Sequence, residues 1–121
     1  MESAKEIHIP DAFLDRVASK FRMLGDPTRL AILRTIMTSE KSVGAIVAET
    51  SGNQANVSKH LKMLMNAGLV RRRKAGLQVF YVVSDPLIEQ LCRLVCNTII
   101  EEVQSEVDRS RRLLEGLREG S

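Results

Sequence analysis

The chain has 121 residues, enough for one hydrophobic core, and its 44% apolar and 27% charged content excludes a mostly disordered polymer. No apolar run approaches the roughly 18–20 residues of a membrane span, the mixed-charge N-terminus excludes a secretory signal as written, and two cysteines make no disulfide framework, so the expected setting is a reducing cytoplasm. The net charge is only +3, but Gly52 to Ser84 holds six basic residues and no acid, so this stretch is +6 and the rest of the chain −3. A segregated basic block of this kind is the electrostatic footprint of a polyanionic partner, most often nucleic acid.

Residues 1–10 read as a flexible lead-in. Apolar residues then recur at Phe13, Leu14, Val17, Phe21 and Leu24 with helical spacing, Asp11 stands where a cap would, and Gly25 ends the run. Asp26-Pro27 restarts the chain in the favoured order of cap and first helical residue, with Leu30, Leu33, Ile36 and Met37 on one face to about Thr38. Ser42 caps a short third helix that turns Val43, Ile46 and Val47 inward, and Thr50-Ser51-Gly52-Asn53 breaks it. A fourth helix starts near Gln54, buries Val57, Leu61 and Leu64, and stops at Asn66-Ala67-Gly68. The period then changes to that of strands, Leu69 to Arg73 and Leu77 to Val83, around a Lys74-Ala75-Gly76 turn. Phe80 and Tyr81 alternate, one for the core and one for the surface. Asp85-Pro86 opens a long last helix with an apolar stripe from Leu87 through Leu91, Leu94, Val95, Ile99 and Val103 to Val107, running on toward Leu117.

This order predicts a mainly α fold with a small β-hairpin wing, a winged helix-turn-helix, whose second reading-pair helix lies in a DNA major groove. With Val57, Leu61 and Leu64 inward, Gln54, Ala55, Ser58 and Lys59 are left outward, and Lys62 follows one turn on. A Gln amide matches the paired donor and acceptor of adenine, Ala touches a thymine methyl, Ser reaches base or phosphate, and Lys neutralises the backbone. Asn53 reads as a helix cap rather than a contact. On the wing Arg71, Arg72, Arg73 and Lys74 alternate in direction, so not all four but at least two of them face the duplex. Arg72, Arg73 and Lys74 are the candidates. Residues 11–108 read as the DNA-binding and dimerisation domain, and 109–121 as a helical or frayed tail.

Leu24-Gly25-Asp26-Pro27-Thr28-Arg29-Leu30-Ala31-Ile32-Leu33 resembles the opening motif of ArsR/SmtB-type bacterial repressors. Gln54 to Leu64, then Ala67-Gly68-Leu69-Val70, resembles their recognition helix and its exit, and Gly76 followed by Phe80-Tyr81 resembles their wing. The resemblance implies a homodimer, paired through its first and last helices, that represses transcription at an operator and lets go when an inducer binds. Carried over by position, its DNA contacts are Gln54, Ala55, Ser58 and Lys59. Ala55 stands where the family often has Ser, and Ser51-Gly52 replaces the usual Gly and apolar residue of the turn.

The family's sensing sites do not carry over as well. Ser42 to Thr50 has no cysteine, and no His follows Asp85, so a His-rich zinc, nickel or cobalt site is not expected. His8 reads as solvated, and His60 as packing or DNA-facing. What remains is Cys92 and Cys96, four residues apart and therefore on nearly one helix face, about 6 Å apart along the axis. An intact helix resists bridging them, but a soft ion such as As(III), favoured here, or Sb(III), Cd(II), Hg(II) or Pb(II) takes two thiolates plus a third ligand from elsewhere. The alternatives are redox or reactive-sulfur sensing by the same thiols, or simple packing. A thiol enzyme is not expected, because reactive thiols favour helix N-termini and both cysteines lie past the first turn. DNA binding itself needs no cofactor, and a winged helix used only for protein interaction is the remote alternative.

Overall fold

The computed structural model describes residues 7–120, so most of the expected lead-in lies outside the described residues. Five helices and one hairpin follow in the order α1 (Asp11–Leu24), α2 (Pro27–Thr38), α3 (Val43–Thr50), α4 (Gln54–Asn66), β1 (Val70–Ala75), β2 (Gln78–Val83) and α5 (Leu87–Glu119). The helices and strands group into two compact units that divide between Asp85 and Pro86.

In the first unit, side-chain caps set three helix starts. Asp26 Oδ2 accepts from the Arg29 amide at 3.0 Å, Ser42 Oγ from the Ala45 amide at 3.2 Å, and Asn53 Oδ1 from the Asn56 amide at 2.8 Å. The first helix differs from expectation: Pro10 holds the cap position without a side-chain bond, and Asp11 is the first helical residue, where its charge still suits the helix dipole. The core is Ile32, Leu33 and Ile36 of α2, Ile46 of α3, Val57, Leu61 and Leu64 of α4, with Leu69, Val70 and Tyr81 from the wing. The buried face of α2 is therefore rotated from the expected one. Ile32 and Thr35 are inside, whereas Leu30 and Met37 are not, because α3, α4 and β2 all pack on α2.

The interhelix turn is unusual in one respect. Ser51, not a glycine, takes the left-handed conformation at φ 56°, while Gly52 is required by space: a Cβ there would lie 3.1 Å from Val57 Cγ2. β1 and β2 pair antiparallel from Val70↔Val83 to Ala75↔Gln78. β1 thus runs two residues closer to the tip than expected and β2 starts one residue later, leaving a two-residue Gly76-Leu77 turn with Gly76 at φ 65°. Tyr81 is the core member of the aromatic pair, and its backbone exchanges two hydrogen bonds with Lys41, tying the wing to the α2–α3 connector.

The second unit is one helix of 33 residues. It starts a residue later than the Asp26-Pro27 precedent suggests: Pro86 occupies the cap position itself. The helix is continuous through Glu119, so the tail is helical. Its surface carries Arg93–Glu89, Gln104–Asp108 and Arg111–Asp108 pairs, each three or four residues apart. Among the described residues no helix is long and apolar enough to cross a membrane.

Candidate nucleic-acid interface

The buried stripe of α4 fixes which side chains face out. With Val57, Leu61 and Leu64 at most 1% exposed, Gln54, Ala55, Ser58, Lys59 and Lys62 all lie on the open side of the helix. Gln54, Ser58, Lys59 and Lys62 make no side-chain hydrogen bond or ion pair with other described residues, so their donors and acceptors are available to a ligand. Asn53, by contrast, is occupied as the cap of α4. The first-turn amides of α4 that the Asn53 cap leaves free make that end of the helix attractive to an anion.

The hairpin divides its basic run between two faces, because successive residues of a strand point to opposite sides and cross-strand partners share one. Arg72 is opposite Tyr81 and Lys74 opposite Val79, whereas Arg73 is opposite Phe80. All of Arg71, Arg72, Arg73 and Lys74 are exposed. They are not equally free. Arg73 Nε donates to Glu40 Oε1 at 2.6 Å, and its guanidinium lies 5.2 Å from the Phe80 ring centre. Arg71, Arg72 and Lys74 have no such partner among the described residues. The stretch is free of acid in sequence but not in space, since Glu40 reaches it from the connector.

A second cluster that the sequence pattern did not reveal lies on the inner flank of α4. The Arg29 side chain meets His60 Nδ1 at 3.4 Å and Met63 Sδ at 3.9 Å. It also donates to two carbonyls at the end of α1. Asp26 sits beside this group, and the hydrogen bond from the Arg29 amide, helped by the Arg29 charge, holds its carboxyl below the usual carboxylate range.

On α5, Cys92 is half-buried and Cys96 exposed, and both are free thiols. Burial pushes the Cys92 thiol above its ordinary value, so it is protonated at neutral pH and a metal must displace that proton. Two thiols one helical turn apart fit a soft ion, but no group of three or more His, Cys, Asp or Glu able to hold a metal occurs among the described residues. A third ligand would have to come from beyond the described residues. Around these cysteines the helix leaves Val95, Ile99, Ile100 and Val103 all more than half exposed. On α1, Phe13 and Phe21 are likewise half exposed or more. His8 is exposed.

Comparison with known proteins points the same way as this geometry. Residues 26–72 match the model for bacterial regulatory proteins of the arsR family. The chain is 36% identical over 86 residues to a probable mercury resistance operon repressor of Streptomyces lividans, covering 71% of this chain and 69% of that one. It superposes with a TM-score of 0.71 and 29% identity on the homodimeric winged helix-turn-helix DNA-binding domain of a possible ArsR-family regulator from Mycobacterium bovis, over 82% of this chain and 94% of that one. It is also similar to reduced HlyU from Vibrio cholerae, with a TM-score of 0.60 and 32% identity over 68% of this chain and 90% of that one.

Proposed function

The chain belongs to the arsR family of bacterial regulatory proteins, DNA-binding repressors built on a winged helix-turn-helix, and on that premise we propose how it reads DNA, pairs and is released. Gln54, Ala55 and Ser58 meet base edges in the major groove, and Lys59 and Lys62 hold phosphates on either side. Arg72 and Lys74 of the wing, with Arg73 when it leaves Glu40, take the neighbouring backbone. The observation that carries this reading is the outward side of α4: polar, unpartnered among the described residues, and rigidly aimed by a fully buried stripe.

The working form is a homodimer paired through α1 and α5. Both helices expose apolar side chains at core-like spacing, a pattern a lone chain leaves in water at a cost. The Mycobacterium bovis neighbour is described as homodimeric, which supports the same arrangement here. Two recognition helices then meet half-sites about one helical turn apart. Such a regulator works in the cytoplasm, beside the DNA.

Release follows when a thiophilic metal or metalloid binds Cys92 and Cys96, As(III) being favoured on sequence grounds. The resemblance to a mercury resistance repressor supports a soft ion of this class. Binding on α5 changes how the subunits pack, and a coupling of about 1–3 kcal/mol weakens operator binding about 5–150-fold. A second reading, oxidation or persulfidation of the same thiols, is favoured by the exposure of Cys96.

The test is a release titration on a duplex selected from a random pool by the wild-type chain. As(III), Hg(II), Cd(II), Zn(II), peroxide and a persulfide donor are added to wild type and to Cys92→Ser/Cys96→Ser. Release of the wild type alone by a soft ion is the expected result. Release by peroxide or persulfide alone moves the assignment to the second reading, and equal behaviour of both proteins removes the cysteines from sensing. No enriched duplex at all overturns the DNA-reading proposal.

A further inference from the structure

Arg29 occupies a position between three helices. Its backbone amide is fixed to the Asp26 cap at the start of α2. Its side chain then spreads in two directions. Toward α1, Nε donates to the Met23 carbonyl at 2.9 Å and Nη2 to the Arg22 carbonyl at 3.2 Å. Both carbonyls belong to the last turn of α1, and the Arg22 carbonyl also accepts the Gly25 amide at 3.2 Å. Toward α4, Nη1 faces His60 Nδ1 at 3.4 Å and Met63 Sδ at 3.9 Å. A guanidinium only donates, so the contact to His60 Nδ1 is a hydrogen bond in the tautomer that leaves Nδ1 unprotonated. His60 and Met63 are three residues apart and form one flank of α4, while Ser58 and Lys62 lie on the other side of the buried stripe.

We propose that Arg29 is a positioning residue for DNA reading: its rigid fork couples the end of α1 to the roll of α4, so that a shift of α1 reaches the outward face of the recognition helix. The guanidinium is suited to this because its donors are fixed in one plane, so α4 cannot turn without loosening the bonds to α1 or the contact to His60. α1 is also the helix whose exposed Phe13 and Phe21 face outward for a partner. One side chain thus joins the element that associates to the element that reads. The proposal rests on the DNA-reading role of α4.

The test is a double-mutant cycle on duplex affinity with Arg29→Gln, His60→Leu and the pair, using the duplex pool-selected by the wild type. His60→Leu leaves the bonds of Arg29 to α1 intact, and Arg29→Lys keeps the charge but loses the fork. Thermal midpoints are measured alongside, and affinities are taken well below them. The expected result is a loss of about tenfold for Arg29→Gln, a smaller loss for His60→Leu, and no further loss in the pair. Arg29→Lys should recover stability but not affinity. Losses that multiply in the pair mean that His60 acts on DNA by itself, and overturn the coupling. So does an Arg29→Gln chain that binds as wild type does. If Arg29→Gln does not fold, the same cycle is run on Arg29→Lys with His60→Leu, and independent losses there overturn it equally. Wild type that selects no duplex sinks the functional reading instead, so the two failures are distinct.

Discussion

Arg73 of the wing and Glu40 of the α2–α3 connector form an ion pair at 2.6 Å, with the guanidinium also resting over Phe80. Both partners are close to half exposed, so the pair contributes little to stability. In the proposed complex its effect falls on DNA instead, because a phosphate must compete with Glu40 for the same fork. Glu40→Gln should therefore tighten duplex binding several-fold. The salt dependence should steepen too, by about one unit in the slope of log affinity against log salt. Fluorescence anisotropy across a salt series checks both; an unchanged slope would mean that Arg73 never reaches the duplex.

In the proposed complex the exposed side of α4 separates two kinds of contact. Lys59→Gln should weaken every duplex alike and make the slope shallower by about 0.9. Gln54→Ala should leave the slope alone and cost about 1–3 kcal/mol of discrimination at one base pair. Competition between the selected duplex and single-substitution variants resolves the two.

Much of this arrangement was legible before the structure, for local reasons. The caps at Asp26, Ser42 and Asn53, the stop at Gly68 and the stripe of Val57, Leu61 and Leu64 each depend on residues a few positions apart. What the sequence left hidden depends on distance. Leu30 sits in helical phase with apolar neighbours, yet is 39% exposed because three elements choose the other side of α2. The wing turn moved to Gly76-Leu77 because register is set across strands, where Ala75 pairs with Gln78. Asp85 looked like Asp26, but the cap position fell to Pro86. Glu40 and Arg73 are 33 positions apart, and Arg29 and His60 are 31 apart, so no window of local pattern contains either pair.

Ser51 holds a left-handed backbone at φ 56° that its side chain disfavours. Ser51→Gly removes that strain at some cost in unfolded-chain entropy, for a net gain of about 0.5–1 kcal/mol. Urea denaturation should show a higher midpoint with an unchanged slope. Gly52→Ala should do the opposite, since its new Cβ would crowd Val57 at 3.1 Å.

The depressed carboxyl of Asp26 gives a defined pH signature. A group whose folded-state pKa lies below its unfolded value stabilises the fold at higher pH and loses that effect as pH falls through the carboxylate range. Asp26→Asn keeps an oxygen acceptor for the Arg29 amide but removes the charge. The difference in thermal midpoint between wild type and Asp26→Asn should be constant from about pH 7 to pH 5 and close below about pH 4. A gap that persists in acid would show that the charge of Asp26 is not its source.

The length of α5 has a consequence for how the molecule comes into being. Its 33 residues form a rod of about 50 Å. Along that rod Leu94, Val95, Ile99, Ile100, Val103, Leu113, Leu114 and Leu117 are each more than half open to water. Isolated helices of ordinary composition are only marginally stable, and this one gains most of its stability from whatever seals its seam. In the proposed homodimer, folding of the rod and arrival of the second subunit are then a single cooperative event. The cell's stock of operator-competent regulator therefore rises faster than in proportion to the number of chains it synthesises.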